Sequence, residues 1–256
     1  VAGRFVGQSG VANRLSEDRL LDGRLILRQP AKGYRAGVDA ALLAAACDAG
    51  AGQRVLELGC GVGAVMLAAA IRRPGATFVG VERDTEALAL AGANIGLNGL
   101  GARVSAHGGD VAGDLTGLSR GFDAVLANPP FFDDPTQLRA PHPARRAAYL
   151  TEEGLGAWIQ AMLKAARAGG TLTLVHRADR LGDILALLAP KASSVRIRPV
   201  HPHADEPAKR VLVRAVKAGR APLQLLPALV LHDRSGAKHS PAAEAILRGE
   251  AALDWG

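Results

Sequence analysis

The sequence predicts an α/β fold: a doubly wound, mostly parallel seven-stranded sheet, closed by an antiparallel C-terminal strand pair and capped by an N-terminal hairpin. Three observations carry this reading. Strand-like and helical runs alternate from residue 54 to residue 189, the pattern of a parallel sheet with helices on both faces. A glycine-rich turn, Gly59-Cys60-Gly61-Val62-Gly63, joins the first of those strands to its helix. The final two strand runs have no helix between them, so they are expected to pair antiparallel.

In chain order, residues 1–20 are polar with no clear period and read as a loose lead-in. Leu20 to Leu27 reads as a hairpin, two apolar runs around Asp22-Gly23. Gln29 to Arg35 is a Gly/Pro-punctuated loop, and Val38 to Ala49 a helix stopped by Gly50. Strands are expected at Arg54–Leu58, Thr77–Glu82, Arg103–His107, Phe122–Ala127 and Thr171–His176. Helices are expected at Ala64–Ile71, Thr85–Leu97, Leu155–Ala168 and Ala178–Ala189. Val195–Val200 and Arg210–Lys217 form the closing pair, and the tail adds a strand-like Leu223–Leu231 and a helix after Pro241. This divides the chain into a hairpin and cap helix, residues 1–50, and a main domain, residues 51–256, in one compact unit.

The 256 residues suffice for one large domain. A hydrophobic fraction of 48% and a charged fraction of 21% exclude wholesale disorder. No collagen repeat or sustained heptad is present. Lys and Arg number 31 against 24 Asp and Glu, giving a net charge of +7 and an isoelectric point near 10.0. That balance permits a polyanionic partner such as nucleic acid. Two cysteines, Cys47 and Cys60, are too few for a disulfide framework, so a reducing, cytoplasmic compartment is expected. The apolar run Ala40–Cys47 is too short to span a bilayer, and no membrane association is expected.

The glycine turn is open to two readings. Gly59, Gly61 and Ala64 satisfy a dinucleotide fingerprint, which would make the chain an NAD(P)-dependent oxidoreductase. Gly59, Gly61 and Gly63 equally fit a loop that cradles S-adenosylmethionine (SAM). Glu57, inside the strand, can meet the ammonium end of SAM, whereas it would repel a pyrophosphate. Glu82, at the end of the next strand, can accept from both ribose hydroxyls of either cofactor. Asp110, after the third strand, can accept from an adenine amino group, although alone it reads as a turn residue.

Asn128-Pro129-Pro130-Phe131 leaves the fourth strand, at the edge where open parallel sheets bind ligands. Two prolines fix the backbone and hold Asn128 extended. An exocyclic or carboxamide nitrogen is a poor nucleophile because its lone pair is conjugated. The Asn128 amide oxygen and the Pro129 carbonyl can accept its two hydrogens and favour a pyramidal nitrogen, with no strong base required. Phe131 can stack on a planar substrate.

Glu57 to Gly63 together with Asn128 to Phe131 resembles the class I, Rossmann-like SAM-dependent methyltransferases with an N-P-P-[FY] motif, which methylate adenine N6, guanine N2 or glutamine nitrogen. Gln29-Pro30 through Gly33-Tyr34-Arg35-Ala36-Gly37-Val38-Asp39-Ala40 is similar to the bacterial tRNA (adenine-N6) methyltransferases that act beside the anticodon of a valine tRNA. The resemblance covers most of residues 20–250. It implies a catalytic Asn128, Pro129, Pro130 and Phe131. It also implies a SAM site of Tyr34, Arg35, Glu57, Gly59, Gly61, Gly63, Glu82, Asp110 and Asn128, with the Tyr34-Arg35 segment closing over the cofactor. Phe131 stands where several adenine enzymes have Tyr. The expected partner is RNA, a tRNA, with phosphate contacts from Arg139, Arg145 and Arg146 just beyond the motif. Arg196, Arg198, Lys209 and Arg210 are a second basic set. A protein glutamine or a guanine N2 is the alternative acceptor. No metal is expected: His176, His201 and His203 have no recognisable ligand spacing. Cys60 is read as a small packer, not a nucleophile.

Overall fold

The computed structural model describes residues 15–32, 35–111, 113, 121–131, 154–234 and 236–256. A two-stranded hairpin, β1 (Leu15–Leu20) and β2 (Leu25–Pro30), precedes α1 (Val38–Ala45). The alternation then runs β3 (Arg54–Leu58), α2 (Ala64–Arg72), β4 (Thr77–Glu82), α3 (Thr85–Leu97), β5 (Val104–Gly108), β6 (Phe122–Ala127), α4 (Leu155–Ala165), β7 (Ala166–Arg177) and α5 (Leu181–Leu188). It closes with β8 (Ala192–His201), β9 (Arg210–Lys217), the two-residue strands β10 (Gln224–Leu225) and β11 (Leu229–Val230), and α6 (Pro241–Arg248).

The main sheet has the order β10-β8-β9-β7-β6-β3-β4-β5, with β11 also paired to β8. Strands β3 to β7 are mutually parallel where they meet. β9 is antiparallel to both β7 and β8, and it lies between them. The expected seven strands are present, and the tail adds β10 and β11 as short parallel extensions along β8. Residues 15–20 depart from the expected loose lead-in. Their alternating exposed and half-exposed residues pair with β2 from Leu15↔Pro30 to Leu20↔Leu25. The turn is four residues rather than a bare Asp-Gly, with Leu21, Asp22 and Gly23 all at positive φ. β7 starts five residues earlier than expected because Ala166 pairs with Phe122 ahead of the Gly169-Gly170 irregularity.

The sheet separates two cores. On one face lie α1, α2, the hairpin leucines Leu25 and Leu27, and Leu253 and Trp255 of the tail. On the other lie α4 and α5 with Leu56, Leu58, Val125, Leu172 and Leu174. Central strands buried on both faces explain why β3 and β6 read as nearly continuous apolar runs. The tail closes α1: Leu253 N–H donates to Ala45 O (3.1 Å) and the Trp255 indole N–H to Ala46 O (2.8 Å), satisfying carbonyls a helix end leaves open. Arg196 and Arg198, a basic set in the sequence, donate to carbonyls of Pro227, Asp254, Trp255 and Gly256, so they are tail anchors.

The hairpin is docked by two asparagines of α3. Asn94 is fully buried; its Oδ1 accepts from Arg28 N–H and its Nδ2 donates to Arg28 O, both at 2.9 Å. Asn98 does the same for the N–H and carbonyl of Ile26. Asn94 Nδ2 also donates to Val62 O (3.0 Å), inside the glycine loop. Replacing Asn94 by Ala removes the partner of three part-buried backbone groups. Urea unfolding should show a loss of about 3 kcal/mol, at roughly 1–3 kcal/mol per unsatisfied group with partial relaxation. A loss below about 1 kcal/mol would mean that water replaces the amide and the docking role is absent.

Candidate active site

The glycine loop bends by left-handed backbone. Gly59, Gly61 and Gly63 have φ of 65°, 53° and 90°, a region that costs other residues but not glycine. Cys60 N–H donates to Val81 O (2.9 Å) and Gly63 N–H to Cys60 O (2.8 Å), fixing the turn against β4. A side chain on Gly61 would meet none of the described residues within 4 Å, while one on Gly59 would collide with the Trp158 indole of α4.

Three carboxylates gather around this turn. Glu57 is 2% exposed, and its Oε2 accepts from Met66 N–H (2.8 Å) in the first turn of α2, where the helix dipole favours negative charge. Burial pushes the Glu57 carboxyl well above the usual range, opposed by the Met66 bond and reinforced by Glu82. Glu82 ends β4 and accepts from Gly61 N–H (2.8 Å) and Asp84 N–H (2.9 Å). Glu82 pairs with Gly108 across β4 and β5, and its carbonyl accepts from Gly109 N–H (3.1 Å). Asp110 therefore follows directly beside it, with Arg83 at 3.7 Å. Cys60 is buried, and its thiol is raised far above the usual range by burial, then by Glu57 and Glu82, which removes it as a nucleophile.

Register brings the Asn-Pro-Pro-Phe segment to the same edge. Ala127 pairs with Leu58 on one side and Leu174 on the other, so Asn128 leaves β6 level with Gly59. Pro129 is buried, and Asn128 and Phe131 are half-buried. Phe131 meets the His176 ring edge-on, with centroids 5.1 Å apart. The Arg210 guanidinium lies over the Phe131 ring at 4.5 Å, so a planar substrate has only the opposite face on which to stack. His176 is 3% exposed; burial lowers its imidazole to about 4, with Arg177 and Arg210 adding to the effect.

The remaining expected residues fall elsewhere. Arg35 pairs with Asp18 (2.7 Å) and Ser16 Oγ (2.7 Å), tying its segment to the hairpin. Tyr34, Arg139, Arg145 and Arg146 lie outside the described residues. His232 stacks on His239 and meets His203 at a tilt, and His176 lies beside Phe131. Among the described residues no group of three or more His, Cys, Asp and Glu is arranged to hold a metal ion. Trp158, Asp39 and the stacking of Arg210 on Phe131 escaped the sequence reading. Trp158 stands in an ordinary amphipathic helix, and Asp39 and Arg210 are 171 residues apart.

Residues 35–154 match the family described as the methyltransferase small domain. A tRNA1(Val) (adenine(37)-N6)-methyltransferase of Porphyromonas gingivalis is 32% identical over 199 residues, 74% of this chain and 77% of that protein. The chain belongs to this family of SAM-dependent methyltransferases. A release factor glutamine methyltransferase of Gloeobacter violaceus is 37% identical over 152 residues, covering 56% of this chain and 52% of that protein. The match thus spans only about half the length of that relative. Among solved structures, a predicted O-methyltransferase from Agrobacterium tumefaciens superposes with a TM-score of 0.70 at 27% identity, over 84% of this chain and 98% of that one. The NAD(P)-dependent oxidoreductase reading of the glycine turn is overturned by this family assignment.

The residues present fit SAM. Among the described residues nothing fills the space beside Gly61, which leaves a backbone cradle with the carboxylate of Glu82 bonded at Gly61 N–H. One titration follows from the buried Glu57. Its folded-state pKa is raised, so the unfolded chain loses this proton first as pH climbs past the ordinary Glu value of about 4.3. Stability that Glu57 contributes below that pH is lost as pH rises. Glu57→Gln should therefore gain stability relative to wild type between pH 5 and pH 8, read from urea midpoints at each pH. An unchanged difference would place the Glu57 carboxyl in the ordinary range.

Proposed function

We propose that this methyltransferase transfers the methyl group of SAM to an exocyclic amine, adenine N6 of a tRNA. The observation that carries this reading is Asn128-Pro129-Pro130-Phe131 leaving β6 level with the glycine loop. When bound, SAM supplies a sulfonium-activated methyl group. Glu82 accepts from the ribose hydroxyls, Asp110 from the adenine amino group, and the Gly59, Gly61 and Gly63 backbone lets the cofactor approach closely. Glu57 holds the loop against α2, and Tyr34 and Arg35 cover the cofactor. Asn128 Oδ1 and the Pro129 carbonyl accept the two hydrogens of the acceptor amine and orient its lone pair, while Pro130 keeps the segment rigid. Phe131 offers its free face to the base.

The net charge of +7 supports an RNA partner. Arg139, Arg145 and Arg146, which follow the motif in sequence, are assigned to its phosphates. Coverage also favours the tRNA relative, since the match spans 77% of that protein but 52% of the glutamine enzyme. The higher identity to the latter, 37%, supports a second reading in which the acceptor is a protein glutamine nitrogen. Methylation of a tRNA pool and of a glutamine-bearing release-factor peptide, each with labelled SAM and mass spectrometry of the product, separates the two.

Asn128→Ala should leave SAM affinity near wild type and lower turnover by about two to three orders of magnitude, the scale for one preorganised polar group acting in the transition state. Full turnover would remove the amine-acceptor role. Glu82→Gln should weaken SAM binding by at least about tenfold in calorimetry, because charge-assisted bonds to ribose become neutral ones. Unchanged affinity would place the ribose elsewhere.

A further inference from the structure

Beside the acceptor motif, Arg210 is held ready for a ligand. It is the first residue of β9 and faces Arg177, the last residue of β7, on one antiparallel rung. Like charges directly opposite one another disfavour the sheet, so this rung asks for an anion. Asp39 and Asp179 supply it, one on each arginine. Arg210 Nε donates to Asp39 Oδ2 (3.1 Å), Nη1 donates to Lys209 O (3.2 Å), and the guanidinium plane lies 4.5 Å from the Phe131 centroid. Nη2 makes no hydrogen bond among the described residues. The side chain is 26% exposed, and its guanidinium is held by Asp39, Lys209 O and the Phe131 ring. On the same Phe131 ring, His176 is 97% buried by its 3% exposure, and its Nδ1 has no partner. The mouth thus has a held guanidinium over one face of an aromatic ring and a buried imidazole set edge-on to the same ring.

We propose that Arg210 is an anion subsite for a backbone phosphate of the nucleotide whose base meets Asn128. The assignment rests on the RNA reading above. A planar fork already locked in place binds phosphate bidentately and loses little side-chain freedom in doing so. Phosphate is the anion that accompanies every base, whereas a glutamine side chain brings none. Arg210 would contact substrate directly, and Asp39 would act through it as a positioning residue.

The test uses the full chain with a pool of in vitro transcribed tRNAs and labelled SAM, measuring KM for RNA, turnover, SAM affinity and the dependence of RNA affinity on salt. Arg210→Ala should raise KM for RNA at least tenfold, leave SAM affinity within twofold, and flatten the slope of log K against log salt by roughly 0.7–0.9, the loss of one phosphate contact. Arg210→Lys keeps the charge and should keep the slope. Arg210→Gln keeps a planar group against Phe131 and should behave as Arg210→Ala, which covers the case in which the alanine variant fails to fold. If the wild type methylates the pool and both neutral variants retain its KM and slope, the subsite is overturned and the RNA reading stands. If the wild type leaves the pool unmethylated, the reading falls, and the subsite with it.

Discussion

Everything at the candidate site depends on the register of β6. Ala127 is hydrogen-bonded in step with Leu58 and with Leu174, and so three strands reach their carboxyl ends at one level. The glycine loop, the Asn-Pro-Pro-Phe segment and the end of β7 with His176 are therefore neighbours, although they are separated by some seventy and fifty residues of chain. A slip of one residue would turn Leu126 and Ala127 to opposite faces and exchange their cores. Burial on both sides of β6 holds that register, and Asp123 pins its start by accepting from Arg54 N–H of β3 (2.8 Å) and from Arg167 Nε of β7 (2.7 Å). The antiparallel β9 completes the edge from the other direction, because only a strand entering at this level can present Arg210 to Phe131.

The N-terminal hairpin is attached by a different physics. Its backbone is paired by side-chain amides of α3 rather than by a strand, so a helix serves as the hairpin's edge partner. Because Asn94 holds Val62 O with the same amide, the hairpin and the glycine loop share one buried side chain. Any movement of β2 is thereby felt at the loop that faces the cofactor cradle.

The parallel alternation and the position of the two motifs were legible because they are local: periodicity, a glycine run and paired prolines each act over fewer than ten residues. Burial of Glu57, by contrast, was visible only as a carboxylate two positions before a glycine; that it grips the start of α2 needs the fold. Arg210 was legible as charge and not as a stacked guanidinium, since its partners Asp39 and Phe131 lie 171 residues away and on another strand's exit. Arg196 and Arg198 carried the same signal in sequence and serve the tail instead, which only the contacts of the last residues reveal. The strand at 15–20 was missed for a related reason. Between its terminal leucines it is polar, so its pairing leaves no hydrophobic period to read.

Trp158 and Trp255 are the chain's two tryptophans, and they sit in unlike surroundings. The first lies half-buried against Gly59; the second is sealed in the core with its indole bonded to the end of α1. Intrinsic fluorescence of this chain therefore carries two separable colours. Emission from Trp255 reports whether the tail is seated on α1, and it is shielded from quenchers in solution. Emission from Trp158 reports on the glycine turn itself, within reach of whatever enters the cradle, so the molecule supplies its own optical probe of that site without any label.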